Sequence, residues 1–160
     1  MQKVEEKTNV MRILDQKKIP YSHYCYVNTG AISGVDVAQV LNLNVAQVFK
    51  TLVTVAKSNK NYVFVIPVAE ELDLKKAAKI VGEKNIEMVK SKDLLAITGY
   101  VHGGCSPIGM KKLFNTVIDS SALNNETIIF SGGKIGYQVE LSLNSLKLII
   151  PYKIGDITVN

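Results

Sequence analysis

The chain has 160 residues, of which 35 are Val or Ile and 14 are Leu, so one domain with a β-branched, sheet-forming core is expected. Its formal charge is +5, but Arg12 is the only arginine among 19 cationic residues, which argues against sequence-specific reading of duplex DNA through arginine forks. No apolar run approaches the roughly 18 residues of a membrane span, and residues 1–15 lack a signal-like apolar block, so a cytoplasmic protein without a membrane partner is predicted.

Cysteine and histidine are scarce. Cys25 and Cys105 are too few for a disulfide framework, and their separation matches no zinc-binding spacing even with His23 and His102 added. We therefore predict two reduced cysteines, no metal site and no cofactor.

The first half of the chain begins with a helix capped by Thr8 and continues to a strand over 21–27. Ser33, followed three residues later by Asp36, has the spacing of a capping box and predicts a second helix. Asn44 predicts a second short helical turn, which leads directly into the next strand.

A β-hairpin is the clearest structural prediction. Residues 51–56 and 62–68 are almost entirely β-preferring, and a short polar connection separates them. Asp73 then predicts the start of a helix, and Gly82 lies where a left-handed residue would end it.

The second half predicts a helix from Ser91 to about Gly99, followed by three strands and a last helix. The strands are predicted over 116–119, 127–131 and 136–141, and the helix over 143–149. Helices and strands do not alternate regularly, so a doubly wound parallel sheet is excluded. The sequence predicts one mixed α/β (α+β-like) domain over 1–160, with several antiparallel pairings.

Two glycine-rich loops, 103–109 and 131–136, follow strand-like segments. Glycine lets backbone amides approach a ligand closely, although both loops could equally be tight turns. Neither has the phosphate-loop or dinucleotide-binding pattern.

Lys50 lies between Phe49 and an apolar strand, so its ammonium group could hold a phosphate or a polarised carbonyl oxygen. An exposed lysine at a strand end is the alternative. Cys105 with His102 could form a nucleophile and base, but neighbours on one loop rarely have that geometry, and we do not predict this pair.

A set of short motifs runs along the whole chain. In chain order these motifs are Lys7-Thr8-Asn9, Val48-Phe49-Lys50-Thr51-Leu52, Pro67-Val68, Leu72-Asp73-Leu74-Lys75-Lys76, Glu87-Met88, Thr98-Gly99-Tyr100, the 103–109 loop, Thr116-Val117-Ile118-Asp119 and Ser131-Gly132-Gly133. Taken together, they resemble the YbaK/ProX family of aminoacyl-tRNA deacylases, most closely its YbaK-type Cys-tRNA(Pro) deacylases.

The resemblance implies a largely antiparallel mixed sheet, or a partly closed barrel, flanked by helices. It also implies trans-editing, in which cysteine is cleared from mischarged Cys-tRNA(Pro) and from Cys-tRNA(Cys). The implied partners are the 3′ end of aminoacyl-tRNA and prolyl-tRNA synthetase. A ProX-type Ala-tRNA(Pro) deacylase and a non-catalytic module that binds tRNA or a synthetase are the alternatives.

The resemblance also implies the site. Lys50 matches the family's central lysine, and backbone amides of Gly103 and Gly104 are expected to stabilise an oxyanion. The residues expected to contact the substrate are Tyr26, Thr51, Ser106, Ser131, Gly132 and Gln138. Gln138 replaces a carboxylate found in some YbaK-type members, and Cys105 stands where an aliphatic residue is usual.

An aminoacyl ester is already activated, so editing needs binding, orientation and charge stabilisation more than a protein nucleophile. For a cysteinyl ester, the resemblance implies that the substrate's own thiol attacks the carbonyl carbon. This attack expels the tRNA and converts the cysteine into a cyclic thiolactone.

Overall fold

A computed structural model describes residues 6–159, so the predictions for residues 1–5 and 160 lie outside the described part. Its α-helices are α1 (Asn9–Gln16), α2 (Gly34–Val40), α3 (Leu74–Val81), α4 (Ser91–Thr98) and α5 (Leu143–Lys147), with 3₁₀ turns at Val45–Gln47 and Ser120–Asn124. Its strands are β1 (Ser22–Cys25), β2 (Phe49–Ala56), β3 (Asn61–Pro67), β4 (Ile86–Met88), β5 (Asn115–Asp119), β6 (Ile128–Ser131), β7 (Tyr137–Leu141) and β8 (Lys153–Gly155).

The strands form two sheets. The larger has the order β4-β2-β3-β5-β8, with antiparallel pairing from β4 to β3 and parallel pairing from β3 to β8. The smaller is the antiparallel sheet β1-β7-β6. One isolated parallel bridge, between Val48 and Ile129, connects them.

The predicted mixed α/β domain is confirmed; its strands form two sheets and not a closed barrel. In the described chain, the one bridge between the two sheets is at Val48 and Ile129. Side chains of both sheets belong to the main apolar core, including Val53 and Val65 of the larger sheet and Phe130 and Val139 of the smaller.

The larger sheet is covered on both faces. Within β3, Val63 and Val65 belong to the main apolar core, whereas Phe64 and Ile66 pack with α3. All four side chains are fully buried. This explains why the β3 sequence is continuously apolar rather than alternating.

Side-chain caps begin α1 and α3 where the sequence predicts them. Thr8 accepts from the amide of Met11, and Asp73 accepts from the amides of Lys75 and Lys76. Gly82 ends α3 in the left-handed conformation, with φ of +78°. These interactions are local in sequence, so their residue types identify them.

Asp119 anchors the end of the chain. It is 4% exposed and accepts hydrogen bonds from the amide and hydroxyl of Ser121 and from the amide of Ile157. The carbonyl of Ile157 accepts in turn from the amide of Asp73. The segment after β8 therefore joins β5 to the start of α3.

No helix in residues 6–159 is long and apolar enough to cross a membrane.

The cap at Asp73 gives a stability prediction. We expect Asp73→Ala to lower the free energy of unfolding by about 1 kcal/mol, because two amides in the first turn of α3 lose their acceptor. Urea denaturation measures this. The control is Asp156→Ala, which removes a partly exposed ion pair to Lys76 and should cost no more than about 0.5 kcal/mol. An equal or larger loss in the control would contradict the assignment.

Candidate active site

A cavity of about 350 Å³ is lined by residues of both sheets. The larger sheet contributes Lys50 and Thr51 from β2, and the smaller sheet contributes Ser131 and Gln138. The volume is at the lower end of the range of about 300–1,000 Å³ that is typical of small-molecule sites. The remaining wall residues are Tyr26, Ile32, Ser33, Gly34, Val35, Val37, Phe49, Leu52, Val68, Leu94, His102, Gly103 and Cys105.

Lys50, the second residue of β2, supplies the only Lys or Arg side chain among the described residues of this wall. Burial lowers the pKa of its ammonium group from the ordinary value of 10.5, while the nearby carboxylates of Glu70 and Glu71 oppose that shift. Within residues 6–159 the ammonium group forms no hydrogen bond or ion pair. It is therefore available to a bound anion or carbonyl oxygen.

Two buried acceptors lie on the same wall. The Oγ1 of Thr51 and the Oε1 of Gln138 have no hydrogen-bond partner, and they are the buried side-chain polar atoms of the described chain that lack one. An unpaired buried polar atom costs about 1–3 kcal/mol. A ligand that donates hydrogen bonds to these two oxygens would remove this cost.

The other predicted residues on the wall are Tyr26, Gly103 and Ser131. Tyr26 is 5% exposed and lies just beyond β1, and Gly103 brings its backbone to the cavity with φ of +88°. Ser131 ends β6, and its hydroxyl accepts a hydrogen bond from the amide of Gly133. The structure thus brings together six of the predicted residues, which lie far apart in the sequence.

The structure does not place Gly104, Ser106 or Gly132 on the wall. Gly104 is buried, and its amide donates to the carbonyl of Val101, so it is not free to stabilise an oxyanion. Ser106 is fully buried, and its hydroxyl accepts from the amide of Ile108. The amide of Gly132 donates to the carbonyl of Tyr137. All three hold the loops in shape.

The wall that α2 provides was not predicted from the sequence. The Cβ of an alanine at Gly34 would lie 2.3 Å from a methyl carbon of Val68, so only glycine allows α2 to approach the end of β3 this closely. Ser33 was recognised as the helix cap but not as a wall residue. No local pattern in the sequence reports such an approach between distant segments.

Cys105 and His102 both reach the cavity, but the thiol is not activated. Burial raises the pKa of Cys105 to about 12, so the group is protonated at neutral pH. The sequence does not predict a Cys-His pair, and the protonated thiol gives no support for one. The wall therefore offers a cation, two unpaired acceptors and a glycine backbone, without a thiolate nucleophile.

In the described part of the chain, no three His, Cys, Asp or Glu side chains are grouped to hold a metal ion.

Comparison with known proteins identifies the family. The model of the aminoacyl-tRNA editing domain matches residues 31–148, and the chain therefore belongs to that family. It is 44% identical over 157 residues to EbsC of Enterococcus faecalis (strain ATCC 700802 / V583), a candidate Cys-tRNA(Pro)/Cys-tRNA(Cys) deacylase, covering 98% of this chain and 96% of the relative.

Solved structures share the fold at lower identity. A candidate trans-editing enzyme for prolyl-tRNA synthetase superposes with a TM-score of 0.83 at 20% identity, covering 96% of this chain and 99% of the other. A hypothetical protein superposes with a TM-score of 0.85 at 18% identity, covering 94% and 99%.

The approach of Gly34 to Val68 can be tested by a double-mutant cycle. We expect Gly34→Ala to destabilise the protein by about 1–3 kcal/mol through overpacking. Combining it with Val68→Ala, which opens space at the same point, should cost less than the sum of the two single substitutions. Urea denaturation of all four proteins gives the coupling. Additive free energies would mean that the two residues do not press against each other.

Proposed function

We propose that this chain is a trans-editing deacylase that removes cysteine from mischarged Cys-tRNA(Pro) and also acts on Cys-tRNA(Cys), with the editing domain extending over 1–160. The observation that carries the proposal is the unpaired, partly buried ammonium of Lys50 beside the unpaired oxygens of Thr51 and Gln138. Membership of the editing family and the name of the 44% identical relative support the substrate class. The reaction belongs in the cytoplasm, where tRNA is charged.

The unpaired groups fit the polar parts of a cysteinyl ester. The α-ammonium group of the amino acid is a donor without acceptor lone pairs, so it fits the oxygens of Gln138 and Thr51. Gln138 is neutral, and it can therefore hold this group without the ion pair that a carboxylate would form. Lys50 is then directed towards the ester and the ribose of the terminal adenosine, as a point charge.

The same geometry favours attack by the substrate rather than by the protein. The substrate thiol loses its proton, and its sulfur forms a bond to the carbonyl carbon. The bond from that carbon to the ribose oxygen breaks, and the ribose oxygen takes up a proton. The products are a thiolactone and uncharged tRNA. The Lys50 ammonium stabilises the negative charge on sulfur and then on oxygen, and the Gly103 backbone amide lies at the same wall.

This route also provides selectivity. Alanine and proline lack the thiol that drives the reaction, so their esters survive even if they enter the cavity. Exclusion by size alone would discriminate weakly, because one methylene group changes binding by only about 1–3 kcal/mol.

We propose prolyl-tRNA synthetase as the partner that presents the mischarged tRNA. The structural neighbour described as a candidate trans-editing enzyme for that synthetase supports this choice. The chain's modest charge of +5 agrees with a tRNA that is held partly by another protein.

Lys50 gives the first functional prediction. Lys50→Ala should reduce kcat/KM for Cys-tRNA(Pro) deacylation by about 100-fold or more, because the developing charge loses its cation. Lys57→Ala is the matched control, since Lys57 is exposed in the β2–β3 turn and should leave the rate unchanged. Retention of activity within about tenfold, or roughly 1.4 kcal/mol, would remove Lys50 from the mechanism.

The identity of the nucleophile gives a second prediction. Ser-tRNA(Pro) resembles the cysteinyl substrate in size but carries a poorer nucleophile, and we expect its deacylation to be about 100-fold slower or more. A panel of Cys-, Ser-, Ala- and Pro-charged tRNA(Pro) measures this with prolyl-tRNA synthetase present. Equal rates for Cys and Ser would indicate hydrolysis by water, a preference for Ala would indicate the ProX-type activity, and inertness towards all four would indicate a binding module.

Cys105 gives a third prediction. Cys105→Ala should retain kcat/KM for Cys-tRNA(Pro) within about threefold, because a buried thiol that stays protonated is not the nucleophile. Loss of activity by several orders of magnitude, with the unfolding free energy nearly unchanged, would show that the protein thiol forms a covalent intermediate.

A further inference from the structure

A second feature of the molecule, outside the cavity of the proposed reaction, is a group of four exposed lysines that we call the lysine surface: Lys17, Lys112, Lys147 and Lys153. Lys17 and Lys112 line a depression of about 180 Å³, and Lys153 lines a second one of about 200 Å³. Phe114 and Thr116 lie in both walls, so the two depressions are neighbours.

The four charges are not neutralised by the protein. No ion pair joins any of them to another residue in the range 6–159, whereas Lys7, Lys76 and Lys134 are paired with carboxylates. Neither depression has an acidic residue in its wall. Asp15, the carboxylate closest to Lys17 in sequence, pairs with Lys7 instead.

Aromatic rings support two of these lysines. The ammonium of Lys112 lies 5.7 Å from the centre of the Phe114 ring, and that of Lys147 lies 5.5 Å from the centre of the Tyr152 ring. A cation–π contact positions an ammonium group without removing its charge. Lysines that are charged, unpaired and supported in this way suit a ligand with regularly spaced anionic groups.

One depression of the lysine surface lies near the active-site cavity. Cys105 lines that cavity, and Pro107, two residues later, lines the depression of Lys17 and Lys112. Two residues span at most about 7 Å. The buried segment 104–108 therefore separates the two walls by a short distance.

We infer that the lysine surface binds the phosphate backbone of the tRNA acceptor end, through Lys17, Lys112, Lys147 and Lys153. This inference rests on the proposed function for the choice of ligand. RNA is favoured over a protein partner because the depressions combine unpaired cations with no carboxylate, and lysine binds phosphate as a point charge without base recognition. The surface thus contributes affinity that does not depend on the tRNA sequence.

The test compares a charge-reversed surface with a matched control. The variant Lys112→Glu/Lys153→Glu alters one lysine in each depression. The control Lys57→Glu/Lys75→Glu makes the same change of charge at exposed lysines outside both depressions. Each protein is assayed on Cys-tRNA(Pro) and on a minimal substrate, the cysteinyl ester of adenosine, over a range of KCl concentrations.

We expect the surface variant to lose about tenfold or more in kcat/KM on Cys-tRNA(Pro) at low salt, with the slope against log[KCl] shallower by about two. Its activity on the adenosine ester should match that of the wild type within about twofold. The control should behave as wild type on both substrates. Equal losses on both substrates, or unchanged salt slopes, would overturn the inference.

Direct binding separates this inference from the proposed reaction. Fluorescence anisotropy with uncharged tRNA(Pro) should show about a tenfold weaker Kd for the surface variant, even if no deacylation is seen with any substrate. The neutral variant Lys112→Gln/Lys153→Gln should show a smaller loss in the same direction. Unchanged tRNA binding would overturn the inference, and so would a loss confined to binding of prolyl-tRNA synthetase.

Discussion

The bridge between Val48 and Ile129 is the contact on which the candidate site depends. Both residues are 1% exposed, and they pack with Ala38 of α2 and Val68 after β3. The bridge is parallel, so the residues two positions further on, Lys50 and Ser131, leave it in the same direction. Both line the cavity. The bridge therefore places one wall residue from each sheet beside the same cavity.

Local interactions made much of the fold predictable. Asp73 and Gly82 bound α3 as expected, because a cap needs a particular residue type within three positions of the amide it serves. The β2–β3 hairpin was predictable because two β-preferring runs are joined by a short polar connection. β4 and β8 have only three residues each, and they were missed because pairing with β2 and β5, rather than their own sequence, makes them strands.

The candidate site was predictable only in part. Lys50, Thr51 and Gln138 were selected through family resemblance, since nothing in the composition distinguishes Lys50 from the other lysines. Adjacency in sequence was misleading in the glycine loops, where Gly103 faces the cavity and Gly104 is bound to Val101. Gly34 could not be found from sequence, because its importance lies in a distance to Val68. The lysine surface likewise assembles from four separate segments.

The burial of Cys105 bears on the chemical durability of the protein. A thiolactone is an acylating agent, and any thiolate beside the site of its formation would be acylated and would block the cavity. Because burial raises the pKa of Cys105 to about 12, its thiol stays protonated at neutral pH. Under the proposed reaction, the packing that buries this side chain keeps the wall of the cavity from being consumed by its own product.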